Sequence, residues 1–483
     1  MNIAILSPEV APYSKTGGLA DVARALPEAL SRLGHDVKIF SPFYRCTAKK
    51  ATSASPAGVN VNISMGGKKF DGEIWRDGKY YFVRNDYFFS RDDLYGEGGK
   101  EYEDNALRFA FFSMAVLEAL AEEGERVDII HCHDWQSGLA PLFLKSIFAE
   151  KGCFKGTASV FTIHNLAYQG LFPRETMKSL SLPEELFNYK ELEFYNKMSF
   201  MKGGLVFAHM LTTVSRKYSM EIQGEGLGCG LEGVLRERKD DLFGVVNGID
   251  YGEWDPTVDS HIITNFSNTS LEGKALCKKD LRKEFKLPDL GDIPLIGMVS
   301  RLDPQKGFEI IEKAANRLMK LRIQMVFVGK GTPEIETFLK NMAKKFPDKV
   351  GLFVGYNEEL AHKVEAGADI FLMPSRYEPC GLNHLFSLKY GTIPVVRATG
   401  GLDDTIINYN ARSGRGNGFK FTPFSPEALL NSVKRAVNLY MTDRDEWVRL
   451  QKEVMKEDHP WEEPARTYEK IYRRALEAVR TEG

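Results

Sequence analysis

The chain has 483 residues, 43% of them hydrophobic, with 64 lysines and arginines against 66 aspartates and glutamates. That length exceeds one ordinary core and calls for two large domains or three smaller ones, while a net charge of -2 provides no general attraction to nucleic acid or an anionic membrane. No run of about eighteen apolar residues occurs, and the N-terminus lacks the basic and apolar regions of a secretory signal, so a cytoplasmic protein is expected.

The first element is the apolar run "NIAIL" at 2–6, followed by "SPEVAPYSKTGGLADV" and a helical repeat of Leu19, Val22, Leu26, Leu30 and Leu33 that Gly34 stops. With "DVKIF" at 36–40 this makes a β-α-β unit. Lys15, Gly17 and Gly18 sit between strand and helix, where bare backbone and unpaired first-turn amides suit an anion. The segment is neither the GxGxxG nor the GxxxxGKS loop, and a tight turn with a surface lysine explains it equally well. Residues 65–110 mix aromatics, charges and glycines and read as a long, partly irregular insertion, in which Tyr81, Phe82, Tyr87, Tyr95 and Tyr102 could offer a secondary carbohydrate surface or simply pack.

Further apolar strands follow at 128–131, 158–164 and 211–214, of the kind required by a parallel sheet covered on both faces. Polar groups follow two of them directly, in "HCHDWQSG" at 131–138 and "TIHNLAYQG" at 162–170. His131, His133 and Asp134 have a superficial metal spacing, but no cysteine or further carboxylate completes a set, so no metal is expected. Asp134 and His164 are better suited to sugar hydroxyls or a reacting oxygen.

A Gly-, Asp- and Pro-rich stretch at 241–293, including "NGIDYGEWDPTVDS", marks the domain border. The strand pattern then restarts at 294–300, 323–329, 350–355, 369–375 and 393–396. Two Rossmann-like α/β domains in tandem are expected, 1–245 and 246–455, with a cleft between them as the default ligand site and 456–483 forming a last helix. "SRLDPQKG" places Arg301 and Lys306 at a strand end, where they would grip a diphosphate or form two unrelated salt bridges. "PSRYEPCGLNHL" puts Glu378 before a glycine-opened helix, and "TGGLDD" adds Thr399, Gly400 and Gly401. Cys380 reads as a small buried thiol rather than a nucleophile. The six cysteines, at 46, 132, 153, 229, 277 and 380, show no CxxC pairing and are expected to be reduced.

Taken together, "KTGGLADV", "DNALRF", "HDWQ", "TIHNLAYQG", "NGID", "SRLDPQKG", "EPCGLN" and "YGTIPVVRATGGLDDT" resemble the bacterial glycogen synthases and plant starch synthases, across nearly the whole chain. The resemblance implies a GT-B glycosyltransferase fold and transfer of glucose from ADP-glucose to a 1,4-α-glucan with retention. It implies no cofactor or metal, ADP-glucose being a substrate, and the oligomeric state stays open. By the same resemblance, Arg301 and Lys306 stabilise the departing ADP, Glu378 lies against the glucose and His164 orients it. Lys15, Gly17, Gly18 and Asp21 serve the donor, Asp134 and Asn165 line the cleft, and Asn247, Gly248 and Asp250 shape the pocket. Tyr356 stacks on the adenine, while Cys380, Gly381, Thr399, Gly400 and Gly401 surround glucose and phosphate. The final helix, with Trp461, Ala465, Tyr468, Ile471, Tyr472 and Leu476 on one face, is expected to cross back to the first domain. His384 departs from the family's usual glutamine. UDP-glucose as donor, a small sugar as acceptor, and a non-catalytic glucan-binding protein are the competing readings.

Overall fold

The computed structural model describes residues 1–482, which divide into Met1–Val245 joined by the chain from Trp461 onwards, and Val246–Pro460. In the first unit, strand Asn2–Leu6 (β1) buries Ile3, Ala4, Ile5 and Leu6 on both faces, as a central parallel strand must. Helix Gly18–Arg32 (α1) then returns the chain to strand Asp36–Pro42 (β2), parallel to β1. Val22, Leu26 and Leu30 recur at helical spacing and bury against Ile3, Ile5 and Val37. Each such burial contributes about 2 kcal/mol.

Residues 65–110 are more regular than the sequence suggests. Strands Ser55–Met65 (β3), Lys68–Asp77 (β4) and Tyr80–Arg84 (β5) form an antiparallel extension, joined to the sheet by parallel pairing of β5 with β2. The turns at Gly66–Gly67 and Gly78 have positive φ, so two glycine-bearing turns that read as irregularity in fact close hairpins. Tyr81 and Phe82 are core residues, and only Tyr87 of the five aromatics is largely exposed, so these rings form no shared carbohydrate platform. Helix Asn105–Glu123 (α2) buries Phe109, Phe112, Val116 and Leu120 against the sheet core.

Strands Ile129–His133 (β6), Ala158–Ile163 (β7), Met210–Thr213 (β8) and Leu242–Gly244 (β9) complete a nine-stranded sheet of order β9-β8-β7-β6-β1-β2-β5-β4-β3. β1 therefore lies between β2 and β6, at the point where the chain reverses its direction of travel across the sheet. The C-terminal helix Glu462–Glu482 belongs to this unit: Trp461, Ala465, Tyr468, Ile471, Tyr472 and Ala475 pack with the inner face of α1 and with Ile129, Val160 and Met210.

The second unit has strands Leu295–Val299 (β10), Gln324–Gly329 (β11), Val350–Val354 (β12), Ile370–Met373 (β13), Ile393–Arg397 (β14) and Phe419–Phe421 (β15), all parallel, in the order β12-β11-β10-β13-β14-β15. Helices Phe308–Leu318 (α3), Asn383–Lys389 (α4) and Gly400–Thr405 (α5) follow β10, β13 and β14. Here β10 and β13 flank the reversal point. Ligands of open α/β sheets bind at the carboxyl ends of the strands beside such a point, because the connecting loops diverge there and leave a crevice.

Candidate functional site

In the first unit the loop after β1 is organised by a carboxylate that sequence reasoning passed over. Glu9 is buried and accepts hydrogen bonds from the amide and hydroxyl of Thr16 and from the Tyr95 hydroxyl, the last at 2.7 Å. Burial raises the Glu9 carboxyl above its ordinary range, against the opposing effect of these donors. This fixes the turn that presents Lys15, Gly17 and Gly18. Lys15 Nζ lies 2.8 Å from Asp21 Oδ1 in the first turn of α1. Gly17 has extended backbone, and a Cβ built there would meet nothing within 4 Å, so the space above this helix start is open to a bulky group. The signal for Glu9 was its position, a lone acid three residues past a strand end in "SPEV".

Asp134 follows β6 with φ of +56°, a conformation that costs a non-glycine residue about 1–3 kcal/mol. The turn aims its carboxylate at the end of β7, where Oδ1 accepts from the His164 amide at 2.7 Å. Burial pushes this carboxyl up to about 7, although the amides of His164 and Asn165 favour its charged form. The three histidines form a neutral row. Burial lowers both His131 and His164 to about 3 and takes His133 well below the usual imidazole value. His131 bonds Thr162 Oγ1 at 2.6 Å and the Tyr472 hydroxyl at 2.9 Å, and His133 Nδ1 meets His164 Nε2 at 2.8 Å. Asn165 Oδ1 accepts from the Ala167 amide at 3.1 Å, which shapes the turn beyond His164.

In the second unit, Gly307 brings two loops together. It has φ of +79°, and a Cβ there would lie 2.1 Å from the Pro374 carbonyl, so the turn after β10 can meet the loop after β13 only with glycine. The consequence is a salt bridge in which Lys306 Nζ touches both oxygens of Glu378, at 2.9 and 2.8 Å. Ser375 Oγ donates to the same carboxylate at 2.8 Å. Arg301 is exposed and pairs with Asp303 at 3.0 Å. The side chains expected to grip phosphate thus come paired, Lys306 with a buried acid and Arg301 with a near neighbour in sequence. The Arg301 guanidinium is about half exposed, while both oxygens of its partner Asp303 are buried.

Glu378 is also clasped from behind. Gly400 and Gly401 open α5, and Cβ atoms built on them would fall 1.9 Å from the Glu378 carbonyl and 2.2 Å from that of Cys380. The Gly401 amide donates to the carbonyls of Glu378 and Pro379, both at 3.2 Å. Glycine at 401 therefore answers to a close backbone approach, and its amide is engaged inside the chain rather than offered to phosphate. Thr399 caps this helix by position and is buried. Gly381, with φ of +73°, turns the chain between Cys380 and α4 against the Glu378 side chain.

The Cys380 thiol is buried, and burial pushes it up to about 12, which rules against a thiolate nucleophile at neutral pH. Asn247 hydrogen-bonds this sulfur, while its own Oδ1 is buried without a partner, an acceptor suited to a sugar hydroxyl. Gly248 precedes Ile249, whose amide donates to the His459 carbonyl at 2.7 Å; Asp250 Oδ1 accepts from the Gly252 amide at 3.0 Å and shapes that turn. Tyr356 is 72% exposed just past β12, two strands from β10 and roughly 10 Å across the sheet. His384 is buried in α4, with Nε2 2.6 Å from Thr405 Oγ1, so it ties α4 to α5 behind the loop rather than facing a ligand.

Among the described residues no helix is long and apolar enough to cross a membrane. Residues 2–237 match the family model of the starch synthase catalytic domain, and residues 280–453 match that of the group 1 glycosyl transferases. The chain is 45% identical to a glycogen synthase of Koribacter versatilis, covering 98% of both chains. It is 44% identical to glycogen synthase 2 of Geobacter sulfurreducens, covering 99% of this chain and 100% of that one. Its structure is similar to the catalytic domain of starch synthase IV from Arabidopsis thaliana, solved with ADP and acarbose, at a TM-score of 0.91 and 33% identity with 99% of each chain covered. A sucrose-phosphate synthase from Thermosynechococcus elongatus shares the fold at a TM-score of 0.60 and 19% identity, covering 99% of each chain. With polar residues clustered at the strand ends of each unit and end-to-end likeness to these enzymes, the chain belongs to the glycogen and starch synthase family of GT-B glycosyltransferases.

Proposed function

We propose that this chain transfers glucose from ADP-glucose to the non-reducing end of a 1,4-α-glucan, with retention at the anomeric carbon. The observation that carries the reading is the Lys306–Glu378 pair beside Arg301 at the ends of β10 and β13, in a chain alike to glycogen synthases over its full length. Arg301 and Lys306 supply the positive charge that a departing diphosphate needs. Glu378 lies at hand for the sugar as positive character develops at its anomeric carbon, and the orphaned Asn247 oxygen accepts a hydroxyl.

In this reading the acceptor 4-hydroxyl attacks from the face that ADP leaves, and the leaving phosphate oxygen takes the hydroxyl proton. No carboxylate nucleophile of the hydrolase kind is then required. Charge aimed at the phosphates is the main source of rate, and removal of one such donor costs about 10²-fold or more. In the first unit, Lys15 and the helix start at Gly17–Gly18 suit phosphate, while His164, Asp134 and Asn165 suit sugar oxygens. Tyr356 offers a ring face to adenine. ADP-glucose enters as a substrate, no resident metal or cofactor is called on, and the setting is the cytoplasm.

The test is transfer of labelled glucose from ADP-glucose, with UDP-glucose in parallel, to glycogen and to a small sugar acceptor. Label precipitating with glycogen from ADP-glucose is expected. A preference for UDP-glucose overturns the adenine role of Tyr356, label in soluble sugar alone overturns the glucan acceptor, and glycogen binding without turnover overturns catalysis.

A further inference from the structure

His133 is a buried group for which the reading above has no use. It is fully enclosed, its ring lies 4.2 Å from that of His131, and among the described residues the one hydrogen bond of its ring joins Nδ1 to His164 Nε2. His131 is itself held at both nitrogens, by Thr162 and Tyr472. The ring of His133 is therefore trapped between a fixed neighbour and His164. Its Nε2 is buried without a partner.

A 2.8 Å contact between two imidazole nitrogens needs one hydrogen and one lone pair. Enclosure disfavours the charged forms, so each ring carries a single hydrogen. If His164 donated from Nε2, His133 would carry its hydrogen on Nε2, leaving a buried N–H with no acceptor. If His133 donates from Nδ1, the unmatched atom is a bare lone pair. Orphaned buried N–H groups are the rarer of the two in folded proteins. The second arrangement places the hydrogen of His164 on Nδ1, on the side of the ring turned away from His133, and His164 is only partly buried.

We propose that His133 is a positioning residue: by donating from Nδ1 to His164 Nε2 it fixes His164 as the Nδ1–H tautomer and presents that N–H as the donor to an oxygen of the transferred sugar. The part concerning the sugar rests on the functional reading above; the tautomer does not. The Asp134 carboxylate holds the His164 backbone amide at 2.7 Å, so backbone and ring are fixed from two sides. A histidine free to exchange tautomers would present a donor in only part of the molecules.

The test is nitrogen-15 NMR of the full chain with labelled histidine, the His164 ring signals being assigned by their loss in His164→Asn. Wild type is expected to carry the His164 hydrogen on Nδ1, and His133→Leu to shift it wholly or partly to Nε2. His133→Asn, which keeps an N–H near the place of Nδ1, is expected to retain the wild-type tautomer. In steady-state transfer, His133→Leu should lower kcat about 10-fold or more with little change in KM for ADP-glucose, and His133→Asn should recover most of the loss. A wild-type His164 protonated on Nε2 overturns the proposal. So does a His133→Leu chain with unchanged tautomer and kcat. Should the leucine variant not fold, the wild-type spectrum and the asparagine variant decide the matter. Absence of transfer by the wild type would count against the functional reading alone, since the nitrogen spectra report the tautomer independently.

Discussion

Two pairs of strand ends, one in each unit, use opposite chemistry at the carboxyl edge of the same kind of sheet. At β10 and β13 the strand ends carry full charges already matched, Lys306 to Glu378 and Arg301 to Asp303. At β6 and β7 they carry a row of imidazoles that burial keeps neutral, with an acid whose carboxyl is pushed up to about 7. The first arrangement suits a diphosphate, which needs positive charge. The second suits hydroxyl oxygens, which need directed neutral donors and acceptors. Position in the fold gathers polar groups at the strand ends, and their polarity decides which chemistry each group of ends can receive.

By that contrast, the largest losses come from the charged end. Glu378→Ala removes the buried partner of Lys306 and a candidate sugar contact, so stability falls by about 3 kcal/mol, and transfer should fall about 10²- to 10³-fold in protein that still unfolds cooperatively, assayed below its lowered unfolding temperature. Near-normal kcat in the folded variant would break the comparison. Gly400→Ala comes next and acts on folding: its Cβ meets the Glu378 carbonyl at 1.9 Å, and its φ is +46°. A loss of about 2–3 kcal/mol is expected in urea unfolding.

Gly17→Ala sharpens the contrast between the two glycine-opened helices. Its surroundings are open and its backbone extended, so stability should change by about 0.5 kcal/mol or less. If a phosphate does approach that backbone, KM for ADP-glucose rises instead, about 3- to 10-fold; a variant that loses stability as Gly400→Ala does would show that both turns are merely structural. The smallest effect concerns His384, whose imidazole burial lowers to about 3. Its contribution to stability is complete above the ordinary histidine value near 6.5 and is lost as pH falls from there towards 3, because the unfolded chain takes up the proton first. His384→Gln keeps a hydrogen-bonding group near Thr405 without titrating. Its melting temperature should fall less than wild type's between pH 7 and pH 5, by about 1–3 °C, with kcat unchanged.

Much of this was legible because the parallel strands are continuous apolar runs and the polar residues cluster at their ends. Arg301, Lys306, Asp134, His164 and Glu378 could be picked out that way, since a strand end beside a reversal point is a physical location and not merely a motif. What escaped was long-range pairing. Nothing near Lys306 announces that its partner lies 72 positions away, and Glu9 gains its role only when Thr16 and Tyr95 converge on it. The hairpins at 55–84 are obscured in the sequence because their strands mix exposed charges with aromatics, so the alternation expected of a half-covered edge reads as an irregular insertion. In the sequence His133 shows only a superficial metal spacing; its positioning role depends on a neighbour 31 positions on.

The most direct test of the account is kcat for glucose transfer from ADP-glucose to glycogen by Lys306→Ala, at saturating donor and beside wild type. A loss of about 10²-fold or more, in protein that still unfolds cooperatively and is assayed below its unfolding temperature, is the predicted result, because the leaving diphosphate loses its compact charge. Turnover within about threefold of wild type would contradict it, leaving the Lys306–Glu378 pair as a structural salt bridge and not part of the transfer machinery.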